Sequence, residues 1–310
     1  MHKPTDDAPR LFETPANPCP PGAETSWVRV RDGVRLRVAT WPVNNARGTV
    51  IVLQGRTEFI EKYFETIGDL LARGFAVVAF DWRGQGGSDR LLPRALKGHV
   101  GSFSDYLADL GAVLESVGAT CPKPWVALSH SMGGLTALQA LMAHPGLFAR
   151  VVLSAPMTSI RLRHRGAIAA LARIMPKRSF VPGGAAFNPA TEPFEGNRVT
   201  HDRARFMRTR SVLEENPDLR VGSPTWGWLD AAFRAMPQGT DRKALAALDT
   251  PVLLLSAGED QIVDNHSHEA VAKALKTCTT LKIRGARHEL MMEMDAVRHQ
   301  FWRAFDGFVA

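Results

Sequence analysis

Apolar residues in this chain fall into two rhythms: short unbroken runs, and longer stretches where they return every three or four positions. Thr49–Leu53, Phe75–Phe80, Trp125–Leu128, Val151–Ala155 and Pro251–Ser256 are runs of the first kind. A strand that is apolar at every position is one covered on both faces. Residues 59–73, 103–118 and those following Ser131 carry helical periodicity, with Gly74 placed to stop the first of these helices. Trp27–Arg31 and Val34–Ala39 alternate polar with apolar on either side of Asp32-Gly33, which predicts a hairpin. A helix near 264–276, a strand over Thr279–Arg284 and a closing helix from about Glu293 complete the pattern. Buried strands alternating with helices predict an α/β fold with a mostly parallel, doubly wound sheet, whose sites collect at the C-terminal ends of the strands.

The rhythm breaks between Met157 and about Thr240, where proline and glycine interrupt short helical patches. An insertion between two strands of one sheet lies over the strand ends, so 157–240 is expected to be a helical cap on a core formed by 27–156 and 241–310. Trp226, Trp228, Phe180, Met207 and Met175 read as the core of that cap, one or two of them lining an acyl pocket. Residues 1–26 hold six prolines and no apolar segment of the signal-peptide kind, and read as an extended leader.

Composition changes little in this picture. The chain has 310 residues, 45% hydrophobic and 22% charged, as a soluble globular protein does. No apolar run approaches the roughly 18 residues of a membrane span. Three cysteines, Cys19, Cys121 and Cys278, are odd in number, widely spaced and in no metal-like cluster, which suggests reduced thiols in a cytoplasmic protein. The net charge of +7 is concentrated: residues 157–240 carry thirteen Lys or Arg against seven Asp or Glu, a surplus of six. Arg161, Arg163 and Arg165 alternate, and Arg203, Arg205, Arg208 and Arg210 cluster. Beside a merely solvated face, a basic cap suits an anionic lipid surface, at the inner face of a membrane, or a phosphate-bearing substrate. Nucleic acid is not expected, since no binding module accompanies the charge.

Chemistry concentrates at Ser129-His130-Ser131-Met132-Gly133-Gly134, between the run Trp125–Leu128 and a helical stretch. A serine at the apex of a sharp strand-to-helix turn of small residues is the context of a nucleophile elbow. Such a serine needs a base and an acid to orient it, in the chain order Ser, acid, His. Asp260 directly follows one buried strand and His288 the next, with Glu259 and Asp264 as rival acids. His266 and His268, at the start of a helix, are expected to face solvent, and His130 to brace the elbow. Oxyanion donors would be the backbone N–H of Met132, after the nucleophile, and that of Arg56, in the loop Gln54-Gly55-Arg56. Asp81 and Arg83 read as structural ties, since their loop has neither a Walker lysine nor dinucleotide-loop spacing.

These pieces resemble the α/β-hydrolases of the lysophospholipase and monoacylglycerol-lipase group, also labelled serine aminopeptidase S33-like. The matching stretches are Gln54-Gly55-Arg56, Asp81-Trp82-Arg83-Gly84-Gln85-Gly86, Ser129–Gly134, Gly258–Val263 and Gly285–His288, with Gln54 and Ser129 departing from the usual His and Gly. The resemblance implies the α/β-hydrolase fold, a Ser131–Asp260–His288 triad, Arg56 and Met132 as oxyanion donors, no cofactor or metal, and a lipid-like ester such as a lysophospholipid or monoacylglycerol as substrate. A peptidase or amidase of the same fold is the alternative within the enzyme class. A non-catalytic binding protein that kept the fold is the alternative outside it.

Overall fold

The computed structural model describes residues 8–92, 96–188 and 192–310; the first seven residues of the leader lie outside them. Eight strands form one sheet: β1 (Glu24–Arg29), β2 (Arg35–Trp41), β3 (Thr49–Leu53), β4 (Ala76–Phe80), β5 (Trp125–His130), β6 (Arg150–Ser154), β7 (Val252–Ala257) and β8 (Cys278–Ile283), in the order β1-β2-β4-β3-β5-β6-β7-β8. β1 and β2 form the hairpin that the alternation predicts and lie antiparallel at one edge. All pairs from β4 to β8 are parallel. Every residue of β3, β4, β5 and β7 is buried, as unbroken apolar runs require of strands covered on both faces.

Two apolar layers supply that cover. On one face lie α1 (Phe64–Ala72), which follows a 3₁₀ turn at Ile60–Tyr63, and the C-terminal α9 (Asp295–Val309), contributing Phe64, Ile67, Phe301 and Phe305. On the other face lie α2 (Phe103–Val117), α3 (Met132–Ala143), α7 (Arg242–Ala246) and α8 (Asn265–Ala274). Ser102 and Asp105 cap α2 reciprocally, each side chain accepting a backbone N–H that the helix cannot. α3 is buried around nearly its whole circumference, because the helix Trp226–Gly239 covers the side that the sheet does not.

The segment between β6 and β7 carries α4 (Arg165–Ile174), α5 (Arg203–Glu215) and α6 (Trp226–Gly239). Trp226 and Trp228 are buried as expected, whereas Met207 is 44% exposed, because it lies on the outward side of α5. The basic cluster of α5 is not free charge. Arg205 pairs with Glu65 of α1 at 2.7 Å, with Asp202 at 2.6 Å and with Asp295 at 2.7 Å. Arg208 also binds Glu65, whose carboxyl is held down to about 2: burial works to raise it, and the two guanidinium groups outweigh burial. The described part of the leader is extended and tied down: Arg37 and Trp41 donate to the carbonyls of Arg10 and Pro20, and Asn17 to that of Glu61. β1 begins three residues inside the span read as leader, at Glu24.

Candidate active site

β5 ends at His130 and α3 begins at Met132, leaving Ser131 alone at the corner with φ +50° and ψ −113°. A positive φ strains a residue with a Cβ by roughly 1–3 kcal/mol, and surrounding structure must hold it there. The holding bonds are Ser131 N–H to the Ser154 carbonyl at 3.1 Å and Met157 N–H to the Ser131 carbonyl at 2.8 Å. Gly133 has no room for a side chain, since a Cβ there would fall on the Leu53 carbonyl. Ser129 fits where a glycine is usual because its hydroxyl donates to the Val152 carbonyl at 2.9 Å on the neighbouring strand.

The loops after β7 and β8 bring two side chains to this corner. His288 Nε2 lies 3.0 Å from Ser131 Oγ, and His288 Nδ1 lies 2.7 Å from Asp260 Oδ2. The other oxygen of Asp260 accepts the N–H groups of Ile262 and Val263 at 2.8 and 3.0 Å. Burial acts to raise the Asp260 carboxyl, but His288 and these two amides hold it below its ordinary value. With Asp260 anionic, Nδ1 donates to it and Nε2 is left to accept the Ser131 proton. The rival acids are placed elsewhere: Asp264 caps α8, and the half-exposed Glu259 lies 3.5 Å from His201. The backbone N–H groups of Met132 and Arg56 make no hydrogen bond among the described residues.

Three histidines near this corner differ in role. His266 is exposed, but His268 is 1% exposed, against expectation, because α8 turns it inward between Ser256 Oγ and the Pro156 carbonyl, each at 2.8 Å. His130 braces the region as expected, through a partner that sequence reasoning missed. Glu58, fully buried, accepts from His130 Nδ1 and Lys62 Nζ at 2.9 Å each, from Tyr63 Oη at 2.6 Å and from Gly55 N–H. Its other neighbours extend this hub: His130 Nε2 meets the His288 carbonyl at 3.2 Å, and Lys62 meets Glu289 at 2.6 Å. Both ring nitrogens of His130 therefore face acceptors, an arrangement that favours the doubly protonated ring. Burial disfavours the charged ring, yet Glu58 raises the His130 pKa; burial likewise opposes the Glu58 carboxylate, which His130 and Lys62 hold well below its ordinary value. The sequence signal for this hub was slight, a Glu four residues before a Lys at a helix start.

Asp81 and Arg83 are the structural ties expected. Asp81 accepts from Arg37 and from the N–H groups of Ile60 and Gly87, and Arg83 closes on Asp109 and Asp32 at 2.6 Å each. The loop Gln54-Gly55-Arg56 is braced through its backbone: Trp82 Nε1 donates to the Gln54 carbonyl at 2.9 Å, and Gln85 to the Gly55 carbonyl at 2.8 Å. The Gln54 side chain is buried and makes no hydrogen bond among the described residues. The inserted segment reaches all three loops. Arg161 donates to the Asp260 carbonyl, the Val199 carbonyl accepts from Glu289 N–H, and Arg56 donates to the Gly222 carbonyl.

The family profile described as serine aminopeptidase, S33, matches residues 44–295. Lysophospholipase L2 of Escherichia coli K12 is 34% identical over 284 residues, covering 86% of this chain and 82% of the relative. Human monoglyceride lipase is 25% identical, covering 90% and 88%. Among solved structures, a soluble variant of monoglyceride lipase from Saccharomyces cerevisiae superposes with a TM-score of 0.74 at 18% identity, over 96% of this chain and 99% of that one. With four-fifths of its length matched, this chain belongs to the serine aminopeptidase S33 family and has the α/β-hydrolase fold.

Proposed function

We propose that the chain hydrolyses carboxylic esters of lipid-like alcohols through an acyl-enzyme, with lysophospholipids as the leading substrates and monoacylglycerols next. The observation that carries this reading is the continuous relay from Asp260 through His288 to Ser131 on a strained elbow. Ser131 Oγ attacks the ester carbonyl while His288 Nε2 takes its proton. The developing oxyanion is held by the N–H groups of Met132 and Arg56, such donors being worth roughly 2.7–4 kcal/mol each. His288 then returns the proton to the departing alcohol, and water, activated by the same imidazole, releases the fatty acid. Asp260 keeps the tautomer and stabilises the imidazolium. The 34% identity to lysophospholipase L2 supports the lysophospholipid over the monoacylglycerol.

The test is labelling with a fluorophosphonate probe, followed by turnover of matched lipid esters and aminoacyl amides. Labelling that disappears in Ser131→Ala, with ester turnover dominant, is the expected result. Amide turnover above ester turnover would point to the peptidase alternative, and a folded but unlabelled wild type to a binding protein.

The inserted segment acts as a cap that also faces lipid. Ala167, Ala170, Leu171 and Ile174 of α4, spaced i, i+3, i+4, i+7, are all exposed, and Ile174 is 80% so. An apolar stripe turned to water in this way marks an interaction surface. Arg163, Arg173 and Arg178 stand exposed around it without an acidic partner among the described residues. Inserting Leu171 and Ile174 into an interface contributes about 1.5–3 kcal/mol each, and each cation about 1 kcal/mol near anionic lipid. Wild type is expected to co-sediment with vesicles containing phosphatidylglycerol, and Ile174→Asp to remain in solution with unchanged turnover of monomeric esters. Equal sedimentation of the two proteins would remove this docking surface. No helix among the described residues is long and apolar enough to cross a membrane.

A further inference from the structure

Withdrawn guanidinium groups in this fold generally close on carboxylates. Arg37 binds Glu61 and Asp81, Arg83 binds Asp109 and Asp32, Arg205 binds Glu65, and Arg298 binds Asp69. Arg56 does not. Its side chain leaves the oxyanion loop and passes under the inserted segment. There one terminal nitrogen donates to the Gly222 carbonyl at 3.0 Å, and the guanidinium carbon lies 5.5 Å from the Trp228 ring centre. No carboxylate among the described residues reaches ion-pair distance. The acid that senses it most, Glu192, is itself pushed towards its neutral form by burial, with Arg210 as its stronger cationic neighbour. Burial draws the Arg56 pKa down to about 10, which still leaves the group charged at neutral pH.

A cation drawn largely out of water without a counter-ion is disfavoured, and a neutral side chain of similar length would pack against Trp228 without that penalty. The charge is therefore to be explained by something that arrives. A lysophospholipid carries its scissile ester and its phosphodiester on one glycerol. The same residue whose N–H is proposed to hold the ester oxyanion offers a planar fork suited to a phosphate oxygen pair. A monoacylglycerol has nothing anionic at that end.

We infer that the Arg56 side chain is a specificity-determining group that binds the phosphate of the substrate headgroup and so favours lysophospholipids over monoacylglycerols. The inference rests on the esterase reading and deepens it. Substitution leaves the Arg56 backbone N–H in place, so selectivity can be read apart from oxyanion stabilisation. The measurement is kcat/KM on a short-chain lysophosphatidylglycerol and on the monoacylglycerol with the same acyl chain, both kept monomeric, with thermal melting to establish folding. Arg56→Gln is expected to lower the phospholipid-to-neutral ratio by about tenfold to a hundredfold, the range of a hydrogen bond to a charged partner. Arg56→Lys, which keeps the charge but not the fork, should fall between. As a second readout, sn-glycerol 3-phosphate should inhibit wild type competitively, and Arg56→Gln much more weakly. An unchanged ratio in a folded Arg56→Gln would overturn the inference, since Arg56 would then be only a tie between loop and cap. Wild type that turns over neither ester would instead remove the esterase reading itself.

Discussion

Ser131→Ala is expected to lower kcat by about 10⁶-fold, the loss seen when a nucleophile acting with its base is deleted. A residual rate about 10³–10⁴ above water should survive, because the proposed N–H donors at Arg56 and Met132 would still stabilise the tetrahedral intermediate formed by direct attack of water. Stability should move the other way. Ser131 sits at φ +50°, ψ −113°, a conformation that its Cβ resists and glycine does not. Ser131→Gly relieves that strain, so it should melt above Ser131→Ala, while both are inactive. The elbow would then be a place where the fold gives up stability for an exposed hydroxyl. Thermal melting of the two variants beside wild type, with single-turnover kinetics, decides it; a Ser131→Gly that melts below Ser131→Ala would mean the turn is not strained in solution.

The second large effect belongs to Glu58. Its carboxylate ties the Gln54-Gly55-Arg56 loop through Gly55, β5 through His130, and the His288 loop through both His130 and the Lys62–Glu289 pair. Removing one partner of a buried ion pair typically costs about 3–5 kcal/mol, because the other charge stays behind. Glu58→Gln leaves two cations, His130 and Lys62, sharing only Glu289. It should therefore melt well below wild type. Its kcat should fall about a hundredfold even where it is folded, as expected of a misplacement near 1 Å. The pH dependence follows from the shifts. The lowered Glu58 carboxyl stabilises the fold above its ordinary pKa of 4.5, and that stability is lost as pH falls through the lowered value. The raised His130 stabilises it below its ordinary 6.5, and that stability is lost as pH rises through the raised value. The stability gap between wild type and Glu58→Gln should accordingly be widest between these values and narrow in alkali. A gap that stays constant across that range would show that His130 is not charged in the folded protein.

The parts legible in the sequence are those that a local signal encodes. Unbroken apolar runs gave buried strands, and Asp260, just past the buried β7, and His288, just past the largely exposed edge strand β8, arrive beside Ser131 because parallel strands end on one edge of the sheet. What escaped depends on partners far along the chain. Arg205 and Arg208 looked like free charge on a cap, but Glu65 lies 140 and 143 residues away. Glu58 reaches His130 across 72 residues, and no periodicity announces a carboxylate that collects four donors. His268 was misread because its helix position fixes a direction only once Pro156, 112 residues earlier, is in place. Pairing and burial of charged groups are properties of the assembled tertiary structure, and a composition count of the 157–240 segment therefore overstates the charge it presents to a ligand.

The two ends of the inserted segment are held to the core by unlike means. α5 is fastened to the core by Glu65 and Asp295, while α4 buries Ala172 alone and rests against α6. Local opening is cheapest where few apolar contacts and many exposed backbone bonds coincide, which singles out α4. The segment is thus tied to the core by charge at α5 and only lightly packed at α4. Its loosely held half carries the outward apolar stripe, and its anchored half stays with α1. A lipid that engages the stripe would meet this lightly packed helix, whose approach segment is tied through Arg161 to the loop that carries Asp260.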